Sequence, residues 1–267
     1  MEEMKEKTKT LRRHIITMTE RAGSGHPGGS LSAVELVTAL YFHVLRHDPQ
    51  NPHWPDRDRF VLSKGHAAPL LYAALAESGY FPVAELMTLR QMGSRLQGHT
   101  HMITTPGVEM SAGALGQGLS FGIGNALAAR LDGRDYRVYV LLGDGECNEG
   151  QVWEAAMAAA HYKLDNMVAI IDRNRLQIDG WCCDVMNTEP FTEKWRSFGW
   201  HTVEVDGHDL DQIIAALSEA KTIEGKPTAI IAHTIKGKGV SFMENKAEFH
   251  GTAPTSEEAE QALKELE

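Results

Sequence analysis

Arg137-Val-Tyr-Val-Leu-Leu142 runs directly into Gly143-Asp-Gly145, and Met167-Val-Ala-Ile-Ile171 runs into Asp172-Arg-Asn174. Both runs are almost unbroken apolar stretches of strand length, the kind buried on both faces of a parallel sheet. Residues 150–163 between them read as a helix. Further on come a strand at Thr202-Val-Glu-Val205, a helix from Leu210 to Lys221, and a strand at Thr228-Ala-Ile-Ile-Ala232. Strand and helix therefore alternate from 137 to 232. That order predicts βαβ units, hence an α/β fold with a central, mostly parallel sheet covered by helices. Right-handed crossovers bring all strand C-termini to one edge, and ligands of such sheets bind outside that edge. Gly143-Asp-Gly145 and Asp172-Arg-Asn174 both fall there.

Toward the N-terminus, Arg59-Phe-Val-Leu62 reads as another strand, leading through Ser63-Lys-Gly-His66 into an alanine-rich helix that ends near Ser78. Residues 4–22 form an amphipathic helix pattern with Leu11, Ile15, Ile16 and Met18 on one side. The stretch Gly23-Ser-Gly-His-Pro-Gly-Gly29 reads as a glycine-rich loop, after which Ser30 or Ser32 is expected to cap a helix reaching Val44. Residues 47–58, rich in Pro, Asp and His, read as a loop. Leu115 to Leu131 reads as a helix packed closely through Gly118, Gly122 and Gly124.

The chain has 267 residues, 42% of them apolar, and a formal net charge of −10. That balance argues against general nucleic-acid binding, which needs clustered Lys and Arg. It leaves room for anionic small molecules, which need only a local site. The three cysteines, Cys147, Cys182 and Cys183, are odd in number and two are adjacent, which argues against a disulfide framework and for a reducing compartment. The charged N-terminus lacks a signal peptide's apolar core. No stretch approaches the ~18 apolar residues of a membrane span. A soluble, cytoplasmic protein is the expectation.

Asp144 sits between two glycines that let the backbone turn sharply and approach a ligand. Asn174 follows the next buried strand, so neighbouring strands would set both side chains on one edge. An Asp carboxylate, an Asn amide oxygen and a nearby main-chain carbonyl form a hard oxygen set. It suits Mg²⁺, with Ca²⁺ or Mn²⁺ as alternatives, and phosphate oxygens complete the coordination. The cation would neutralise a diphosphate that Asp144 otherwise repels.

The run from Gly143-Asp-Gly-Glu-Cys-Asn-Glu-Gly150 to Ile171-Asp-Arg-Asn-Arg-Leu-Gln-Ile-Asp-Gly180 resembles the thiamine diphosphate signature. The resemblance implies that Asp144, Asn174 and the Leu176 carbonyl hold the metal, on a three-layer thiamine diphosphate-binding fold. Cys147 lies inside this run, where packing is the expected role.

Four of the thirteen histidines stand in telling contexts: His26 in Gly-His-Pro-Gly-Gly, His66 in Ser-Lys-Gly-His-Ala, His99 in Gly-His-Thr and His250 in Phe-His-Gly. All lie in or beside expected loops, where function concentrates. Histidine bonds sugar hydroxyls and moves protons near neutral pH. His14, His43, His53, His161 and His201 read as surface or satisfied core residues.

These contexts resemble transketolase from about residue 10 to 255. The resemblance implies sugar or diphosphate contacts for His26, His66, His99 and His250. It implies a backbone contact to the aminopyrimidine at Gly113-Ala-Leu-Gly116 (Gly113 and Leu115), diphosphate contacts around Gly143, Asp144 and Gly145, and an interface acid at Glu149. Thr100 stands where the family often has proline and His101 follows, so His99 and His101 both remain candidates. Lys236 is either a diphosphate ligand, as a basic residue is in deoxyxylulose-phosphate synthases, or a solvated loop lysine.

The whole chain, 1–267, matches the family's diphosphate domain alone. The pyrimidine-binding and C-terminal domains are expected on a partner chain, in a heterotetramer that is a homodimer of heterodimers. The implied reaction moves a two-carbon ketol unit from a ketose phosphate to an aldose phosphate, in pentose phosphate or other carbohydrate metabolism, and the chain alone is expected to be inactive. His26 and His250 are the choices for polarising or protonating oxygens. Two alternatives stand beside this. One is a subunit of another thiamine diphosphate enzyme, such as the α subunit of a 2-oxo acid dehydrogenase, with which Gly150-Gln-Val-Trp-Glu154 is compatible. The other is a non-catalytic thiamine diphosphate-binding subunit.

Overall fold

A computed structural model describes residues 1–267. Five strands form one wholly parallel sheet: β1 (Arg59–Leu62), β2 (Val138–Gly143), β3 (Met167–Arg173), β6 (His201–Asp206) and β7 (Thr228–His233), in the order β1-β2-β3-β7-β6. A small antiparallel hairpin, β4 (Leu176–Gln177) with β5 (Gly180–Trp181), stands off the end of β3. The helices are α1 (Glu2–Ala22), α2 (Pro27–Leu31), α3 (Val34–Ala39), α4 (Ala68–Glu77), α5 (Gln117–Leu131), α6 (Gly150–His161), α7 (Cys182–Val185), α8 (Phe191–Ser197), α9 (Leu210–Ala220) and α10 (Ser256–Glu265). None is long and apolar enough to cross a membrane.

The apolar strand runs divide between two cores because successive side chains point to opposite faces. Tyr139, Leu141, Val168, Ile170 and Ile230 enter the larger core, with Leu11 of α1, Leu36 of α3, Leu70 of α4 and Ile213 of α9. Val138, Val140, Leu142, Ala169, Ile171 and Ile231 enter the other, with Leu119 of α5, Val152 of α6 and Trp195 of α8. Helix, sheet, helix is thus the layer order. Each fully buried Leu or Ile stabilises it by roughly 1.5–3 kcal/mol.

Three local expectations change. The glycine-rich segment is helical from Pro27, with proline at the first helical position and its missing N–H costing nothing there. Neither Ser30 nor Ser32 caps a helix: Ser30 Oγ donates back to the His26 carbonyl (2.8 Å), and Ser32 Oγ donates to the Gly29 carbonyl (3.1 Å) and to Asp172 (2.5 Å). Such local hydroxyl bonds compete with the helix ladder, and the expected helix to Val44 is divided into α2, α3 and a π-helical turn at Leu40–Val44. On α5, a Cβ at Gly122 would lie 2.6 Å from Val140 Cγ2, and one at Gly118 would collide with Ser63, but Gly124 faces open space. Only the first two glycines permit close packing.

Candidate functional site

β2 and β3 pair in a register that sets Gly143 against Asp172, so Asp144 and Asn174 both emerge just past the strand ends. The Asp144 carboxylate accepts from the Gly145 N–H (2.9 Å) and the Arg175 N–H (2.6 Å). Arg175 takes a left-handed backbone (φ 65°) at this turn. Asn174 Oδ1 accepts from the Leu176 N–H (3.1 Å), and the Leu176 carbonyl accepts from Lys236 Nζ (3.3 Å). Asp144, Asn174, Leu176 and Lys236 line a cavity of about 90 Å³ with Gly29, Lys64, His66, Leu115, Gly143, Gly145, Glu146, Gln177, Ile178 and His250.

Two buried groups beneath this cavity escape a reading of the sequence. Asp172 is 0% exposed and pairs with Lys64, itself 1% exposed. Ser32, Thr234 and Asn174 Nδ2 (3.2 Å) also donate to Asp172. Burial raises its carboxyl, but Lys64 and these donors prevail and hold it below the usual carboxylate range. Lys64 also donates to the Gly29 carbonyl (2.9 Å), tying the start of α2 to the strand ends. Glu146 accepts from Ser63 Oγ (2.5 Å), Gly116 N–H (2.9 Å) and Gly143 N–H (3.0 Å), joining three site segments. The signals for the first are present in the sequence: an Asp immediately after an apolar strand run, and a Lys in the short turn that carries His66. Neither the Lys64–Asp172 pair nor the Ser63–Glu146 bond is readable from local sequence, because the partners are 108 and 83 residues apart.

The four singled-out histidines meet. His26 lies 5.4 Å from His66, 5.8 Å from His99 and 5.6 Å from His250 between ring centroids, and His66 lies 5.0 Å from His250. His101 turns away to Thr104 Oγ1 (3.1 Å). Burial, then the charges of Arg90 and neighbouring groups, lower His26 to about 4. Burial and Lys236 lower His250 to about 3. Burial and Lys64 hold His66 well below its usual value, and burial and Arg90 lower His99. The cluster is therefore neutral at pH 7 and offers both acceptor and donor nitrogens. Arg90, another residue without a signal in the sequence, lies 3.4 Å from His26 Nδ1.

Lys236 is 1% exposed, which removes the solvated-loop reading. Its ammonium donates to His250 Nδ1 (2.8 Å), and burial beside Lys64 lowers it to about 8. Leu115 lines the cavity; Gly113 sits instead with His26, Arg90, His99 and His101 around an adjoining open cleft. Glu149 is exposed at the start of α6, its Cβ backing Gly116. Cys147 is buried and donates to the Gly143 carbonyl (3.3 Å), with burial pushing its thiol up, so it packs. Of the background histidines, His14 and His201 bond Glu77 (2.9 Å) and Glu219 (2.8 Å).

The residues present fit a metal-bound diphosphate. Burial, then the Asp172 charge, push the Asp144 carboxyl up to about 6, a strain that a cation beside it would relieve. Gln177 Nε2 is buried, lines the cavity and has no partner, a donor awaiting an acceptor. No three His, Cys, Asp or Glu side chains are placed to hold a metal ion between them, so a cation here depends on amide and carbonyl oxygens as well.

A parallel sheet with hard oxygen donors and buried lysines gathered at its C-terminal edge defines the class of diphosphate-binding α/β domains. Comparison with known proteins narrows it. The family model described as the transketolase, thiamine diphosphate binding domain matches residues 4–266. The chain is 46% identical over 265 residues to the 6-deoxy-6-sulfo-D-fructose transketolase subunit SqwG of Clostridium sp. (strain MSTE9), covering 99% of this chain and 96% of that one. It is 46% identical over 255 residues to an apulose-4-phosphate transketolase subunit of Phocaeicola vulgatus, covering 96% and 90%. The solved transketolase of Campylobacter jejuni superposes with a TM-score of 0.94 at 34% identity, covering 100% of this chain and 43% of that one. A Pichia stipitis transketolase complex with sedoheptulose-7-phosphate gives 0.93 at 36%, covering 97% and 40%. The chain thus spans about two fifths of these solved transketolases. It belongs to the family of transketolase thiamine diphosphate-binding domains.

Proposed function

We propose that this chain is the thiamine diphosphate-binding subunit of a two-chain transketolase that transfers a two-carbon ketol unit between sugars in the cytoplasm. The carrying observation is the meeting, on one sheet edge, of the Asp144, Asn174 and Leu176 oxygens with the four-histidine cluster. Asp144, Asn174 and the Leu176 carbonyl would hold Mg²⁺. Lys236, Lys64 and Gln177 would face the diphosphate, and the backbone at Gly113–Leu115 would meet the aminopyrimidine. The bound coenzyme supplies stabilisation of negative charge at the carbon where a C–C bond is broken.

The chain's own residues bind and orient. Neutral His26 accepts a hydroxyl proton and returns it, His250 polarises a sugar oxygen through its remaining N–H, and His66 and His99 hold sugar oxygens in place. Lys236, bonded to Nδ1 of His250, leaves Nε2 as that ring's N–H donor.

The partner would carry the pyrimidine-binding domain, with exposed Glu149 toward it and two copies of each chain in the assembly. The nearly full-length match to relatives named as subunits supports this. Those relatives' names specify a sulfonated ketose and a ketose phosphate, so the proposed donor is a ketose with an anionic tail. The test is ketol transfer with thiamine diphosphate and Mg²⁺, assayed with and without the candidate partner. Turnover only with both chains, on anionic ketoses and not 2-oxo acids, is expected. Full turnover by this chain alone would refute the two-chain reading.

A further inference from the structure

Cys182 and Cys183 are adjacent, and the proposed chemistry uses neither. They open α7, with Cys182 buried and Cys183 exposed. Both line a cavity of about 390 Å³ that includes Asp144, Arg173 and Arg175. The Cys182 thiol lies beside Asp144 and Gln177. Its N–H donates to the Arg175 carbonyl (2.8 Å), and its carbonyl accepts from the Met186 N–H (3.0 Å). Trp181, just before it, pairs with Leu176 in the β4–β5 hairpin. The dithiol is thus joined to the segment that carries the Leu176 carbonyl, through its bond to Arg175 and the pairing of Trp181 with Leu176.

We propose that Cys182 and Cys183 form a reversible vicinal disulfide whose closure withdraws the Leu176 carbonyl from the metal site. The proposal rests on the reading of that site given above.

Successive side chains on a helix diverge by about 100°, since a turn takes about 3.6 residues. Joining the two sulfurs therefore requires α7 to unwind and the Met186–Cys182 bond to break. A single helical turn has little stability of its own, so unwinding it costs little. The bond also bridges Cα atoms only about 3.8 Å apart, below the ~4.4–6.8 Å that disulfides span without strain. Strained, accessible disulfides are readily reduced, which makes the change reversible. Turning Cys182 out from beside Asp144 pulls on Arg175 and on the hairpin register of Leu176.

Hydrogen peroxide suffices as oxidant. The exposed Cys183 thiolate attacks one peroxide oxygen: an S–O bond forms, the O–O bond breaks and hydroxide leaves, giving a sulfenic acid. The Cys182 sulfur then attacks the Cys183 sulfur. The S–S bond forms, the S–O bond breaks, and water departs with the Cys182 proton. Both sulfurs are oxidised and the peroxide is reduced to water.

The test compares the reduced and peroxide-treated chain by intact and peptide mass and, with the candidate partner present, by calorimetric binding of thiamine diphosphate with Mg²⁺. Hydrogen exchange over residues 176–186 is followed in parallel. Expected are the loss of two hydrogens' mass in the peptide holding both cysteines, faster exchange in that segment, and affinity lower by about tenfold or more, the scale of disturbing a ligand's support. Dithiothreitol should restore all three. Cys183→Ser should bind like the reduced chain and ignore peroxide. A disulfide between two copies, a vicinal bond with unchanged affinity, or a Cys183→Ser variant as sensitive as the parent would overturn the switch. If the reduced chain failed to bind even with the candidate partner present, the site reading would fall. Mass and exchange would still decide whether the bond forms and moves the hairpin.

Discussion

The ionic floor around Asp172 and the histidine wall above it stand side by side and are built on opposite plans. In the floor, Asp172 and Lys64 are removed from water and bonded on all sides by residues of this chain. The wall consists of partly exposed, neutral imidazoles that touch one another and open toward a broad cleft. A satisfied buried network costs little to maintain and fixes geometry, whereas unsatisfied polar groups at an open face await ligand or partner. On the proposed reading, the floor beneath the diphosphate is fixed by this chain alone, and the partner would close the sugar side.

The contrast breaks most readily at Asp172. Asp172→Ala strands the Lys64 ammonium in the interior and should destabilise the chain by about 3–5 kcal/mol, read as a lowered urea midpoint. A stability unchanged within error would mean the pair is not structural. Next in size is Asp144→Ala with Asn174→Ala. Loss of the cation's oxygen donors should weaken thiamine diphosphate binding at limiting Mg²⁺ by roughly a thousandfold, a few kcal/mol. Undiminished affinity would remove the anchor of the proposed site.

The wall should respond in the reverse sense. His26→Asn should leave coenzyme affinity near that of the parent and slow ketol transfer, measured with the partner present, by about a hundredfold. An equal loss of binding would place His26 in the floor instead. The smallest effect is on stability against pH. His26 and His250 have folded pKa values of about 4 and about 3 against 6.5 unfolded, so the unfolded chain takes up their protons first. Their contribution is fully present above pH 6.5 and declines as pH falls toward 4. Asp144, raised to about 6 from 3.8, works against this decline. Replacing both histidines by Asn should lessen the drop in melting temperature between pH 7 and pH 5. Discounted for partial exposure, the difference is about 2 °C; no difference would show that the wall is not desolvated.

Legibility follows the range of the interaction. Strands β1, β2, β3 and β7 are readable because each is an apolar run of five or so residues with a turn after it, a local pattern. The second half of the glycine-rich segment reads wrongly as a loop because proline and glycine count as loop residues until position is known, and Pro27 happens to open a helix; Gly23 to His26 do form the expected loop. Asp144 and Asn174 stand out because both follow strands. His99 and His101 are equivalent in sequence and diverge only in space, one facing His26 and the other Thr104.

The sequence alone determined the layered α/β plan, the strand ends where a ligand site would lie, and the family, because hydrophobic periodicity and motif spacing are properties of short segments. Only the tertiary structure decided that Lys64 neutralises Asp172, that Glu146 joins three segments, and that Lys236 is buried against His250. Those pairings depend on which distant segments the sheet order makes neighbours, and the cost of burying a charge is set by the surroundings that the finished fold provides.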